Sequence, residues 1–286
     1  MTEPFGDRLS HVFRSRGRLC VGLDPHPHLL SAWNLPDTAQ GVRSFGLAVL
    51  DRLGERVGVV KPQVAFFERF GAAGYSALEE IIASARSRGY LVIADAKRGD
   101  IDTSVTAYAQ AWLAPGSPLE SDAVTLSPFQ GFDSLAPVLD VAITAGKGVF
   151  VLAVTSNPEA RDLQRSVVAS GPHPGETVSR TIIDDVCAFN AAQGEHVLHS
   201  IGVVIGATVS PADYGIDVCS ARLSSLPVLA PGFGHQGGIL RDVRNQFGTL
   251  STGLIVQESR SLLRTGPDEF ARALARRCDE VAANDE

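Results

Sequence analysis

Residues 76–100, SALEEIIASARSRGYLVIADAKRGD, contain a helix pattern followed by a strand pattern, and this unit is the clearest indication of the fold class. Gly89 stands where the helix should end, and the next run, Tyr90–Asp95, is apolar without alternation. Such a run is typical of a strand buried on both faces of a parallel sheet. The apolar residues that recur at helical spacing before it are Leu78, Ile81, Ile82 and Ala85.

The same alternation of strand and helix patterns continues along the chain. Eight βα units in about 250 residues are typical of a (β/α)₈ barrel, whereas a doubly wound sheet usually has fewer strands. We therefore predict an α/β fold with a single (β/α)₈ TIM barrel domain over residues 1–286 and a polar insertion loop at about 157–176. The predicted strands are Leu19–Asp24, Val57–Lys61, Tyr90–Asp95, Ala123–Ser127, Val149–Thr155, Gly202–Ala207, Pro227–Ala230 and Gly253–Val256.

Local signals also predict where several helices begin. Asp37 is placed to cap a helix whose apolar positions extend to Val57. Pro211, with Ser210 as its cap, marks the start of a helix after the sixth strand. The last helix is expected to open at residues 266–268, GPD.

Composition excludes several classes of protein. The chain has 286 residues, of which 44% are hydrophobic and 20% charged, which is typical of a globular protein rather than a disordered one. A net charge of −7 argues against a nucleic-acid partner. No apolar run reaches the ~18 residues of a membrane span, and the start MTEPFGDRLSHVF lacks the apolar core of a signal peptide. Four scattered cysteines indicate a reducing compartment, so we expect a cytoplasmic protein.

Charged residues follow several of the predicted strands. The active site of a (β/α)₈ barrel lies at the carboxyl ends of its strands, where Asp24 ends the first and Lys61 the second. Asp95 and Lys97 are two apart on the third strand, so both should point into one space, with Asp100 just beyond. A lysine between carboxylates stays protonated. The alternative interpretation of these residues is a surface salt-bridge cluster. An active site is favoured, because charged residues stand at the ends of three different strands.

A glycine-rich loop and an arginine follow the seventh and eighth strands. The loop at 231–238, PGFGHQGG, exposes backbone N–H groups, and Arg260 is able to make a bidentate contact. Taken alone, the glycine-rich segment fits an ordinary flexible loop, and Arg260 fits a solvated surface arginine. Together they predict a phosphate site, because these two loops commonly hold phosphate in such barrels.

Other polar residues carry weaker signals. Among the hydroxyls at the strand ends, Ser156 is the one that we expect to belong to the site rather than to cap a helix or turn, because it lies beside Asn157–Pro158 in the long loop. The carboxylates are accompanied by lysines, which argues against a metal site. Histidines without ligand spacing are interpreted as surface or loop residues, namely His26, His28, His173 and His235.

Several motifs, taken in order, resemble the orotidine 5′-phosphate decarboxylase family, in particular its longer-chain bacterial subgroup. The resemblance implies a (β/α)₈ barrel that converts orotidine 5′-phosphate to UMP and CO₂, the last step of de novo UMP biosynthesis, with no cofactor and no metal. The motifs are VGLDPHP at 21–27, VVKPQVAFFE at 59–68, DAKRGDI at 95–101, VTSNP at 154–158, APGFGHQGG at 230–238 and SR at 259–260.

The resemblance implies catalytic roles for four charged residues. Lys97 matches the proton donor to C6 of the pyrimidine, and Asp95 matches the carboxylate beside the departing carboxylate of the substrate. Lys61 and Asp100 match the other members of an alternating charge array. In the family the residue matching Asp100 reaches into the neighbouring subunit's site, which implies a homodimer.

It also implies substrate-binding residues. Asp24 resembles the ligand of the ribose hydroxyls, and Ser156 resembles the residue that reads the pyrimidine ring. Gln236 and Arg260 resemble the phosphate clamp, and Pro231 at the start of the glycine-rich loop is placed with them.

Two positions depart from the family pattern, and two alternative functions stay open. Ser259 stands where many members have glycine, and it keeps its backbone N–H. Ser104 stands where a threonine often contributes across the dimer interface, and it keeps the hydroxyl.

The alternative functions are a metal-dependent phosphosugar lyase or decarboxylase on the same barrel, and a non-catalytic nucleotide-phosphate sensor. A sensor has no need for a carboxylate that repels its ligand.

Overall fold

Eight parallel strands close into a barrel in the computed structural model, which describes residues 2–284. Each strand pairs with the next in sequence, and the eighth pairs with the first. The predicted (β/α)₈ barrel is therefore confirmed. The strands are β1 (Leu19–Leu23), β2 (Val59–Pro62), β3 (Leu91–Arg98), β4 (Ala123–Leu126), β5 (Gly148–Val154), β6 (Ile201–Ile205), β7 (Val228–Pro231) and β8 (Leu254–Glu258).

Helices surround the barrel, and their apolar faces pack on the outer side of the strands. The last of them begins at Gly266, as predicted. The helices are α1 (Phe5–Arg16), α2 (Pro27–Ala32), α3 (Ala39–Leu50), α4 (Ala65–Glu68), α5 (Gly71–Ser87), α6 (Asp102–Trp112), α7 (Ala136–Ala145), α8 (Arg161–Arg165), α9 (Val178–Ala191), α10 (Val243–Phe247), α11 (Arg260–Leu263) and α12 (Gly266–Ala283). None of these helices, within residues 2–284, is both long and apolar enough to cross a bilayer.

The predicted cap and end of α3 are wrong. Thr38 caps the helix, because its hydroxyl accepts the N–H of Gly41 at 3.1 Å from the position directly before the first turn. Asp37 instead forms an ion pair with Arg69. The helix ends at Leu50, and the apolar pattern continues to Val57 because the loop after α3 also packs into the core.

The predicted helix after β6 is also wrong. Between β6 and β7, where every residue is described, the chain forms only short 3₁₀ turns, the first at Pro211–Tyr214. Ser210 makes no side-chain cap to this turn. Gly215 follows with a φ of 74°, and this left-handed residue ends the turn before a helix develops.

The barrel interior is apolar at its amino-terminal end and is closed there by α1, a helix that the sequence analysis did not predict. Phe5 is fully buried and packs edge-to-face on Phe150 of β5 at 5.9 Å between ring centres. Gly148 leaves room for the Phe5 ring, because a Cβ at this position would lie 2.4 Å from it. The other members of this inner cluster are Leu9, Val12, Cys20, Val59, Leu91, Ile93, Ala123, Leu198, Val204, Leu229 and Ile255.

On β2 and β3 the next inward side chains along the strand are charged. Two residues after Val59 comes Lys61, and two residues after Ile93 comes Asp95, so on these two strands an apolar inner residue is followed on the same face by a charge. Gln257 occupies the matching place on β8, two residues after Ile255. The barrel therefore has an apolar floor and a polar mouth at the carboxyl ends of its strands.

The segment 157–176 has secondary structure of its own. It contains a 3₁₀ turn and α8, and its end folds back through an isolated bridge between Val167 and Thr177. Leu163 is 53% exposed and Val167 is 62% exposed. The interpretation of this segment as an insertion in a single domain over 1–286 stays a prediction.

Replacing Leu9 by alanine should test the role of α1 as the floor of the barrel. Leu9 is fully buried, so Leu9→Ala is expected to lower the free energy of unfolding by about 2–5 kcal/mol. The matched control is Leu163→Ala on the exposed surface of α8, where a change within ~0.5 kcal/mol is expected. Urea unfolding followed by circular dichroism measures both, and equal effects would contradict the assignment.

Candidate active site

A cavity of about 280 Å³ lies at the carboxyl ends of the strands. It brings together eight of the eleven residues that the sequence singled out, from five different parts of the chain. These eight are Asp24, Lys61, Asp95, Lys97, Pro231, Gln236, Ser259 and Arg260. The other lining residues are His26, Gln63, Phe66, Gly232, Phe233, His235, Gln257 and Glu258.

Asp95 lies between two ammonium groups at the centre of this cavity. Lys61 Nζ is 2.7 Å from Asp95 Oδ2, and Lys97 Nζ is 2.5 Å from Asp95 Oδ1. Lys61 Nζ is also 3.9 Å from Asp24 Oδ1. The Lys61 side chain is 4% exposed whereas that of Lys97 is 43% exposed, so Lys97 is the ammonium that faces the open space.

The two lysines keep Asp95 ionised in spite of its burial. Burial alone would raise the pKa of Asp95, but the charges of Lys61 and Lys97 outweigh it and hold that pKa well below its usual range. Burial alone would likewise lower the pKa of Lys61, but the carboxylates of Asp95 and Asp24 raise it above its usual value. The cavity therefore holds fixed, alternating charges at neutral pH.

Lys97 reaches this place through an irregular backbone. Its φ is +48°, a left-handed value that costs a residue with a side chain about 1–3 kcal/mol. The register between β3 and β4 shifts between Ala94 and Arg98. Lys97 and Asp95 point into the same space, as predicted. What brings them together is the irregularity in β3, and not the regular alternation of side chains along a strand.

Two polar neighbours of this pair were not predicted. The Thr125 hydroxyl accepts the N–H of Lys97 at 2.9 Å and donates to Asp95 Oδ1 at 3.0 Å. With the Gln63 amide in the orientation that satisfies both of its polar atoms, its nitrogen donates to the carbonyl of Asp95 at 2.6 Å and its oxygen accepts from Lys97 Nζ at 3.3 Å. Gln63 was detectable in principle, because it lies two residues after Lys61 and so faces the same side.

The glycine-rich loop packs closely against the end of β8. Gly234 has a φ of 72°, and a Cβ there would lie 2.6 Å from the Ser261 hydroxyl, so only glycine fits without a shift. Glu258 accepts from that hydroxyl at 2.7 Å and pairs with Arg277 of α12. The loop thereby brings Gln236 into the same cavity as Arg260.

His26 lies in the loop between β1 and α2, as predicted, but it also contributes to the site. His26 is half-buried, lines the cavity and packs edge-on against Phe66 at 4.2 Å between ring centres. Burial lowers the pKa of His26, and Arg260 lowers it further although Asp24 acts in the opposite direction. His235 also lines the cavity, but on its exposed side.

Three predicted site residues lie outside the cavity. Ser156 lines a separate pocket together with Thr208 at the ends of β5 and β6. The Asp100 carboxylate accepts the N–H of its neighbour Ile101 at 2.9 Å, and Ser104 is exposed on α6. Within residues 2–284, no group of three or more histidine, cysteine, aspartate or glutamate residues converges as metal ligands.

Comparisons with known proteins agree with this geometry. The model of the orotidine 5′-phosphate decarboxylase / HUMPS family matches residues 17–267. The orotidine 5′-phosphate decarboxylase of Corynebacterium glutamicum (strain R) is 49% identical over 269 residues, which are 92% of each chain. That of Salinispora arenicola (strain CNS-205) is 45% identical over 282 residues, covering 99% of this chain and 97% of the relative.

A solved structure extends the likeness to the fold. The crystal structure of a candidate orotidine 5′-phosphate decarboxylase from Streptomyces avermitilis ma-4680 matches with a TM-score of 0.91 and 44% identity. It covers 99% of this chain and 96% of that one. With an alternating charge array at the mouth of a (β/α)₈ barrel, the chain belongs to the orotidine 5′-phosphate decarboxylase / HUMPS family.

Proposed function

We infer that this protein decarboxylates orotidine 5′-phosphate to UMP and CO₂ without a cofactor, the last step of de novo UMP biosynthesis. The observation that carries the proposal is Asp95 fixed between Lys61 and Lys97 inside a cavity that also holds Arg260. Membership of the family, at 45–49% identity to relatives with this activity in their names, supports it.

The charge array matches the chemical difficulty of the reaction. Loss of CO₂ from C6 leaves a carbanion in the plane of the pyrimidine ring, where π delocalisation is poor. One ammonium at about 4 Å contributes on the order of 4 kcal/mol at an effective dielectric constant of ~20. Enzymatic accelerations require about 8–23 kcal/mol, so the whole preorganised array and the exclusion of water must contribute.

Lys97 and Asp95 have different parts in this chemistry. Asp95, held ionised, repels the substrate carboxylate and loses that repulsion as CO₂ leaves. Lys97 is the more exposed ammonium, so it faces the carbanion and donates the proton to C6. Lys61 is buried, and its ammonium group neutralises the carboxylates of Asp95 and Asp24.

The rest of the cavity is assigned to the nucleotide. Arg260 and Gln236 bind the phosphate with the backbone N–H of Ser259, and Pro231 begins the loop that closes over it. Binding energy at this non-reacting group drives closure of the loop 231–238 around the ring. Asp24 binds the ribose hydroxyls.

Ser156 is assigned to the pyrimidine ring from the neighbouring pocket. A Cβ on Gly206 would lie 3.2 Å from Ser156 Cβ, which places Ser156 against the end of β6 at the same mouth of the barrel. The proposal is that the ring extends from Lys97 toward the ends of β5 and β6, where Ser156 contacts it.

We also propose a cytoplasmic homodimer in which Asp100 and Ser104 complete the partner's site. Asp100 lies outside its own chain's cavity although it belongs to the DAKRGD motif. Two exposed apolar side chains lie on the adjacent loops after β3 and β4, Ile101 at 52% and Phe129 at 77% exposure. A second copy that covers these side chains brings Asp100 to the partner's Lys97.

Turnover of orotidine 5′-phosphate in the presence of excess chelator tests the reaction itself. We expect the ultraviolet absorbance of the substrate to be lost at the same rate with and without EDTA, because lysine and aspartate side chains supply the charge. Loss of activity in EDTA would support the metal-dependent alternative. Folded protein that binds UMP but shows no turnover would support the alternative of a non-catalytic nucleotide-phosphate sensor.

Replacing Lys97 by alanine should separate catalysis from binding. We expect Lys97→Ala to lower kcat by at least about 10⁴-fold, because the variant loses both the proton donor and the facing charge. Binding of UMP, measured by isothermal titration calorimetry, should persist because the phosphate contacts of Arg260 remain. Near-wild-type kcat would remove Lys97 from its role.

Mixing inactive variants tests whether the site is shared between subunits. Asp100→Ala and Lys97→Ala chains should complement, since random exchange gives about half heterodimers with one intact site each, or about a quarter of wild-type activity. Lys61→Ala mixed with Lys97→Ala is the matched control and should stay inactive, because both residues serve their own chain. Exchange is verified by mass spectrometry of the mixed dimers. Exchanged dimers without recovery would contradict the shared site.

A further inference from the structure

We propose that Thr125 is a positioning residue that fixes the geometry of Lys97 against Asp95. The proposal rests on the proposed decarboxylation and deepens it, because it names the group that makes the charge array rigid. Thr125 is fully buried on β4, outside the cavity lining, so it does not touch the substrate.

The first argument is the strained backbone that Thr125 holds. Lys97 has a φ of +48° at a break in the β3–β4 register, so the regular strand ladder does not fix its conformation. A left-handed residue that carries a side chain persists only where its surroundings over-determine it. The N–H of Lys97 is bound by the Thr125 hydroxyl at 2.9 Å, in place of a strand partner.

The second argument is that the same hydroxyl binds the other half of the pair. Thr125 Oγ1 donates its proton to Asp95 Oδ1 at 3.0 Å, the oxygen that Lys97 Nζ contacts at 2.5 Å. One hydroxyl therefore links the main chain of Lys97 to the carboxylate that its own ammonium approaches. These bonds close a ring that fixes the direction of the Lys97 side chain relative to Asp95.

The third argument concerns the backbone on both sides. The carbonyl of Asp95 accepts the N–H of Val64 at 3.3 Å, and the carbonyl of Arg98 accepts the N–H of Ser127 at 2.7 Å. The chain is thus anchored before and after Lys97. Loss of the Thr125 hydroxyl is therefore expected to leave the strand in place, to release the main chain of Lys97 between these anchors and to remove one donor to Asp95 Oδ1.

Thr125→Val is the direct test, because valine has a similar shape and lacks the hydroxyl. We expect kcat for orotidine 5′-phosphate to fall about 10- to 100-fold, the cost of a misplacement of roughly 1 Å. KM should change by less than about 3-fold, because the phosphate contacts do not involve β4. Thr125→Ser keeps the hydroxyl and should retain kcat within about 3-fold.

Thr249→Val is the matched control for a merely structural role. Thr249 lies before β8, where its hydroxyl donates to the carbonyls of Val218 at 2.8 Å and Ser220 at 2.9 Å. This control also loses a side-chain hydroxyl that makes part-buried hydrogen bonds, so its melting temperature should fall while kcat stays within about 2-fold of wild type.

Two outcomes would overturn the proposal. One is a kcat for Thr125→Val within about 2-fold of wild type, and the other is an equal loss in Thr125→Val and Thr125→Ser, which would assign the effect to packing. If Thr125→Val does not fold, Thr125→Ala is compared with Thr125→Ser by the same criteria. Turnover by the wild-type protein is measured alongside, so failure of the proposed reaction is seen separately from failure of Thr125.

Discussion

The contact of Asp95 with Lys61 and Lys97 is the interaction on which the site depends. A carboxylate that is only 10% exposed is costly unless opposite charges and hydrogen bonds surround it. Here two ammonium groups, a threonine hydroxyl and a glutamine amide supply them. The result is a set of charges that stays ionised at neutral pH and is already oriented before a ligand arrives.

The barrel makes this array possible by separating two tasks along each strand. Inward residues near the amino-terminal ends are apolar and pack on α1, where they form an inner core. On β2 and β3 the inward residues two positions later, Lys61 and Asp95, are charged and meet at the mouth. A buried charge on β2 such as Lys61 therefore finds its partner on β3, because adjacent parallel strands bring their carboxyl ends to one edge.

The part of the cavity lined by Gln236 and Arg260 is built by different means. The loop after β7 uses left-handed glycines to approach the end of β8, and the buried Glu258 anchors Ser261 there through one oxygen and Arg277 through the other. One cavity therefore combines a charge array held by strands with side chains supplied by a glycine-rich loop. Lys61 and Asp95 belong to the rigid strands, whereas Gln236 belongs to the loop.

The barrel, the family and the charges at the strand ends, Asp24, Lys61, Asp95 and Lys97, were predictable from the chain alone, since strand periodicity and motif order are properties of the chain. The cap of α3 and the role of α1 as the floor were not predictable, because the Asp37–Arg69 ion pair and the packing of Phe5 on Phe150 join distant segments. The 3₁₀ turn at Pro211 was missed because the left-handed Gly215 ends it, and a helix-start pattern does not reveal that backbone conformation. Tertiary structure alone revealed the left-handed Lys97, and Thr125, which lies 28 residues away in sequence and contacts it through a single hydroxyl. Such a contact has no periodic signal, because only closure of β3 against β4 brings the two residues within hydrogen-bond distance.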